Sequence, residues 1–140
     1  MINILRIPLF YLCLFFCFVS AVQAEEEEAP IAKAQYHDLK PSFVANFGGT
    51  TEKRLKFIKA DISVRAFSDE AIAAVMSHDA LVRHQIVMIL SAQTDEALAT
   101  STGQESIRQA IVAKVKAVLK EETGKEHIDD LLFTSFVVQR

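Results

Sequence analysis

Past residue 34 the chain alternates and then turns helical. From Pro41 to Phe47 the apolar residues Phe43, Ala45 and Phe47 fall on one parity and Gly48-Gly49 ends the run, which predicts a short strand. Arg54–Phe67 is a longer extended run. Leu55 and Phe57 share one parity there, whereas Ala60, Ile62, Val64 and Ala66 share the other. One extra residue near Ile58-Lys59 would produce that slip, so a β-bulge is expected there. The two runs and the loop between them form an expected antiparallel hairpin.

The period changes at Ser68. Ser68-Asp69-Glu70 supplies an N-cap and first-turn acids, followed by a stripe of Ile72, Val75 and Met76. A second helix is expected from Asp79 as N-cap, with Val82, Ile86, Ile89 and Leu90 on its buried face. Thr94–Thr100 reads as a turn or a single helical turn. Thr102-Gly103-Gln104-Glu105 fits a capping box, and Ile107, Ile111, Val115 and Val118 then line one face as far as a stop at Gly124. Leu131–Gln139, rich in β-branched and aromatic residues, is the expected last strand. Both of its faces are largely apolar, so cover on at least part of each is expected. The order β-β-α-α-α-β predicts an α+β domain: a small antiparallel or mixed sheet with about three helices packed on it.

The first residues follow another pattern. Arg6 precedes an unbroken apolar run, Ile7–Val19, and Ser20–Ala24 ends in Val22-Gln23-Ala24 before four glutamates. Thirteen apolar residues are short of the ~20 that a spanning helix needs. The segment Met1–Ala24 therefore reads as a signal peptide cleaved between Ala24 and Glu25, with a short uncleaved anchor as the alternative. Either way the remainder is exported. Glu25–Ala34 is an acidic, aperiodic leader, and Gln35–Arg140 is one domain with a core of its own.

Composition narrows the chemistry. Without Arg6 the exported part has a formal charge of −4 and no extended basic cluster, which argues against a nucleic-acid partner. Both cysteines, Cys13 and Cys17, lie in the apolar run, leaving the domain without thiols or disulfides. Phe16 stands where lipoprotein processing would want a small residue. The four glycines form neither a dinucleotide-binding nor a phosphate-binding loop. His78 and His84, six apart, lie about 240° around a helix from each other. His78 with Asp79, and His127 with Asp129 and Asp130, have the right residue types for a metal or acid/base site. Neighbouring residues on regular elements nonetheless point apart. No catalytic, cofactor-binding or metal-binding residue is assigned. Arg54, Lys56 and Lys59 read as outward cations that protect an edge strand, with an anion-facing stripe as the lesser alternative.

In combination these segments resemble the flagellar basal-body-associated FliL family. Tyr36-His37-Asp38-Leu39-Lys40-Pro41-Ser42-Phe43-Val44-Ala45-Asn46-Phe47 is similar to its entry strand, a tyrosine and a proline followed by "F-V-x-N". Arg54–Asp61 resembles the next strand and Leu81–Ser91 the central helix. Thr100–Arg108 resembles its "T-x-x-G-x-E-x-(L/I)-R" helix start. Leu132–Gln139 resembles a closing "F-x-x-F-V-(V/I)-Q". The signature positions are Phe43, Asn46, Phe133, Phe136 and Gln139, read as packing and sheet hydrogen-bonding residues, with recognition as the alternative.

The resemblance implies a stomatin-like periplasmic domain without enzymatic activity or cofactor. Its expected partners are flagellar stator and basal-body proteins, where it would support or modulate torque, swimming or swarming, and further copies of itself in a ring or arc. Contact with the inner membrane is expected only if the first segment is retained. The short apolar run departs from the family's full spanning helix, which points to a signal-peptide-bearing paralogue. The competing readings are a stomatin-like membrane scaffold unrelated to flagella and a small periplasmic ligand-binding module.

Overall fold

The computed structural model describes residues 33–48 and 55–140. The cleavage point at Ala24 and Glu25, the anchor alternative, nearly all of the acidic leader and the hairpin loop beyond Gly48 lie outside the described residues. The strands are β1 (Gln35–Asp38), β2 (Phe43–Phe47), β3 (Lys56–Ala66) and β4 (Asp130–Gln139). Between β3 and β4 run α1 (Asp69–Ser77), α2 (Asp79–Ser91), α3 (Asp95–Ala99) and α4 (Ser101–Thr123). The domain is α+β, with an all-antiparallel sheet and four helices. The fourth is α3, in the stretch read as a turn or single helical turn.

β3 is the centre of the sheet. β1 and β2 both lie along one of its edges, Gln35 opposite Ala66 and Phe43 opposite Ala60, and β4 lies along the other. Between β1 and β2 the edge is broken at Leu39–Ser42, where the Lys40–Pro41 peptide is cis. The Leu39 N–H still donates to the Ile62 carbonyl across the break, at 2.9 Å. The central place of β3 overturns the edge-strand reading of its lysines. Lys56 instead donates to Asp95 of α3 at 2.7 Å.

The helices cover one face of this sheet. Phe43, Ala45 and Phe47 of β2, Ile58, Ala60, Ile62 and Val64 of β3, and Leu131 of β4 form one core. Val75, Val82, Ile86, Leu90, Leu98, Ile107, Ile111, Val115 and Leu119 join them from the helices. The expected stripes of α2 and α4 are therefore in place. In α1 the buried pair is Ala71 and Val75, while Met76 is exposed. This short helix touches its neighbours along a narrower stripe than its apolar content offers.

The bulge is on a different strand from the one expected. β3 keeps one inward parity from Ile58 to Ala66, because Leu55 is exposed before the strand starts and Phe57 sits on the opposite face. The irregularity is across the ladder. Asp61 faces Ser135 but Ile62 faces Phe133, which leaves Thr134 as the extra residue of β4. The inward set of β4 accordingly changes from Leu131 and Phe133 to Phe136 and Val138. The apolar residues left over, Leu132 and Val137, face solvent. Among the described residues helices cover only one face of β4, where cover on at least part of each was expected.

Helix ends follow local chemistry with two corrections. Ser68 caps α1 by accepting from the Ala71 N–H at 3.1 Å, and Thr94 caps α3. The cap of α4 is Thr100, accepting from the Gly103 N–H at 3.0 Å, two residues before the expected capping box. Glu105 is drawn instead to Arg108. The residue before α2 is His78, which makes no side-chain cap bond, and Asp79 belongs to the first turn. Gly124 ends α4 at φ +82° as expected.

Candidate functional site

The face of the sheet turned away from the helices is built from alternate residues of all four strands. Register places Asn46, Phe57 and Gln139 in one row across β2, β3 and β4, and Val44, Lys59 and Val137 in the next. Further along lie Asp38, Ser63 and Leu132, and then Tyr36, Arg65 and Asp130. Tyr36, Val44 and Val137 are each more than half exposed, while Phe57 is half-buried. This is a mixed surface: aliphatic and aromatic patches separated by single charges.

The structure thus brings two of the signature positions together. Asn46 and Gln139 flank Phe57 on the open face, although 93 positions separate them in the chain. The other three point the opposite way. Phe43 is fully buried, with the Arg83 guanidinium 4.2 Å from its ring centre, a cation–π distance. Phe133 and Phe136 straddle the bulge with ring centres 4.8 Å apart at 54°, a tilted aromatic pair.

One end of this face is held by a charge network that sequence reasoning missed. Arg65 donates to Asp129 through Nε at 2.8 Å and also through Nη2, and that Nη2 lies 3.8 Å from Asp130. Arg108 of α4 donates to Asp130, to the Leu131 carbonyl at 3.0 Å, and with two nitrogens to Glu105 at 2.6 and 2.7 Å. Sheet, loop and helix are therefore joined by two arginine forks, each able to serve several acceptors in a plane. The hydrogen bonds from Arg108 and Gln109 hold the Glu105 carboxyl down to about 2, and the Glu105 bond holds Arg108 above its ordinary value. The Arg65 guanidinium is likewise raised, first by its bond to Asp129. The advance signal was confined to the i,i+3 spacing of Glu105 and Arg108 within Thr100–Arg108, and nothing local marked Arg65.

The histidine sites do not assemble. His78 is tied through Nδ1 to the Ala74 carbonyl at 2.9 Å, and His127 through Nε2 to Thr123 Oγ1 at 2.8 Å. Asp129 and Asp130 are engaged by the arginines. Among the described residues no group of three or more His, Cys, Asp or Glu side chains is placed to hold a metal ion.

Surface clefts among the described residues include two that carry ionic side chains. One, of about 450 Å³, lies between Phe67, Lys116 and the Lys125–Asp129 loop; the other, of about 420 Å³, lies beside Lys56, Asp95 and Arg140. Their charges are spent largely on each other. In the first, Lys125 donates to Glu70 at 2.9 Å, and that bond lowers the Glu70 carboxyl. In the second, Asp95 takes Lys56 at 2.7 Å and Arg140 at 3.3 Å.

Comparison with known proteins settles the lineage. The family model described as "Flagellar basal body-associated protein FliL" matches residues 36–139, from the first strand to the last. The chain belongs to the FliL family. A relative named "Flagellar protein FliL" from Aquifex aeolicus (strain VF5) is 22% identical over 111 residues. The alignment covers 79% of this chain and 65% of the Aquifex protein, so the chain spans about two-thirds of its relative's length. The FliL match takes in the entire sheet and all four helices. It includes all five signature positions, the bulge and both arginine forks. Among the described residues no helix of this FliL-family domain is long and apolar enough to cross a membrane.

Proposed function

We propose that this FliL-family domain is a non-enzymatic component of the bacterial flagellar basal body, acting at the stator units to support or modulate torque, swimming or swarming. The observation that carries this reading is the extent of the family match, residues 36–139, which is the whole described fold rather than one motif within it. The open sheet face supports it as well. Mixed aliphatic, aromatic and singly charged rows suit contact with another protein, in which buried anchors are ringed by polar groups.

On this reading the domain is periplasmic and of stomatin-like architecture, and Met1–Ala24 exports it. Cleavage after Ala24 would leave a diffusing subunit, whereas retention would tether it to the inner membrane beside the stator. Further copies assemble into an arc or ring around stator units through heterologous contacts, which close when their rotation permits. The domain acts by surface complementarity, so its effect depends on occupancy at the motor.

A clean chromosomal deletion tests this directly. The expected result is altered swimming or swarming, most evident under high load, with filaments still assembled and the protein co-purifying with stator or basal-body components. Normal motility at both low and high load, without such co-purification, would overturn the assignment. N-terminal sequencing of the protein from periplasmic and membrane fractions separates the soluble form, beginning at Glu25, from the tethered one.

A further inference from the structure

β4 is an edge strand: it pairs with β3 on one side, and no described residue pairs with the other. Edge strands of soluble domains are ordinarily guarded by charge, proline or brevity. Leu131–Gln139 has no charged residue and no proline, and charge guards its edge only at Leu131, whose N–H donates to Asp130 at 2.8 Å and whose carbonyl accepts from Arg108 at 3.0 Å. Its one irregularity is the bulge, and the bulge sits at the centre of a chemical palindrome. Read outward from the Thr134–Ser135 peptide, Thr134 matches Ser135, Phe133 matches Phe136, Leu132 matches Val137, and Leu131 matches Val138.

In a regular strand those partners would point to opposite faces, since each pair is an odd number of residues apart. The bulge removes that conflict. Phe133 lies opposite Ile62 and Phe136 opposite Ala60, so both face the helices. Leu132 lies opposite Ser63 and Val137 opposite Lys59, so both face solvent. An antiparallel second copy laid along the free edge, with its dyad between Thr134 and Ser135, would match like with like on both faces. A palindrome centred one residue away would lose the side-chain matching, and a palindrome without the bulge would lose the facing.

We propose that the chain forms a two-fold dimer by antiparallel pairing of β4, from Leu132 to Val137, with β4 of a second copy. The pairing continues the sheet across the dyad and brings the two open faces together as one surface. It rests on this strand's own sequence and register, independently of the flagellar assignment. Being isologous, it closes at two subunits, and any arc would require a second, different contact.

Sedimentation velocity of the full chain in mild detergent tests the pairing, with circular dichroism confirming the fold of each variant. Leu132 and Val137 both face solvent and lie opposite each other across the dyad. The double substitution Leu132→Lys/Val137→Lys therefore sets like charges together in two symmetry-related pairs. The expected result is a dimeric wild type and a double-lysine variant whose dissociation constant is raised about tenfold or more. Leu132→Glu/Val137→Lys, which disturbs the same positions but sets opposite charges together, should recover the dimer. A monomeric wild type, a double-lysine variant that dimerises as tightly, or a Glu/Lys variant no tighter than the double-lysine one would each overturn the proposal.

Discussion

Arg108 shows how much a single side chain organises. Its guanidinium is bonded at once to Glu105 in its own helix, to Asp130 at the start of β4 and to the Leu131 carbonyl. Arg108→Ala removes a donor from all three, leaving Glu105 with Gln109, Asp130 with the Leu131 N–H and the part-buried Leu131 carbonyl without its arginine, and a loss of about 1–3 kcal/mol in denaturant unfolding is expected. Arg108→Lys should restore little, because an ammonium cannot serve three acceptors in one plane. Glu105 adds a pH signature. Its carboxyl, at about 2 when folded against an ordinary 4.5, stabilises the fold at pH values above the unfolded value. That contribution is lost as pH falls through about 2. Thermal melts of wild type and Glu105→Gln should differ at pH 6 and converge as pH is lowered from 4.5 towards 2. A difference that stays constant over this range would show that the carboxylate does not matter. The pairs between residues 22 and 64 apart were not legible in the sequence, since they leave no local pattern, whereas Glu105 and Arg108 stand at the i,i+3 spacing of one helix.

At the scale of elements, what could be read was whatever is encoded locally. The buried stripe of α4 from Ile107 to Val118, the stop at Gly124 and the alternation of Phe43, Ala45 and Phe47 each depend on spacing within one element. The bulge could not be placed this way. Phe57 suggested an inward residue of β3, and only the ladder with β4 reveals it as part of the opposite face. Thr134 was ambiguous for the same reason, since β4 is apolar on both parities. Two changes test these assignments. Deleting Thr134 makes the ladder regular and keeps Phe136 and Val138 opposite Ala60 and Ile58, so it should leave the melting temperature nearly unchanged. A loss of about 2–3 kcal/mol, the worth of burying those two side chains, would mean that the extra residue lies elsewhere. Gly103 concerns the joint between α3 and α4, where an added Cβ would lie 2.0 Å from the Ala97 carbonyl oxygen. Gly103→Ala should therefore destabilise, although alanine is the better helix former. A stabilised variant in chemical denaturation would show that the two helices can separate freely.

For the whole molecule, the sheet divides the work into a helix-covered face that makes the fold and an open face available to partners. The residues that specify the fold are apolar and periodic, so they were found from sequence. Those facing outward form a surface only after three strands are registered, which is why Asn46, Phe57 and Gln139 could not be seen as neighbours. This division predicts that stability and motility can be changed separately. Ile62 is buried under the helices, and Ile62→Ala should cost about 2–5 kcal/mol and reduce motility only through loss of folded protein. Val44 and Val137 flank Lys59 on the open face and are 60% and 52% exposed. Val44→Ser/Val137→Ser should leave unfolding within roughly 0.5 kcal/mol of wild type. Soft-agar expansion, measured beside immunoblots of protein level, then distinguishes the two faces. If the open face is where the flagellar partner binds, the serine variant spreads less at an undiminished protein level. Wild-type spreading by that variant would place the partner on another surface, leaving the exposed side of the helices as the next to mutate.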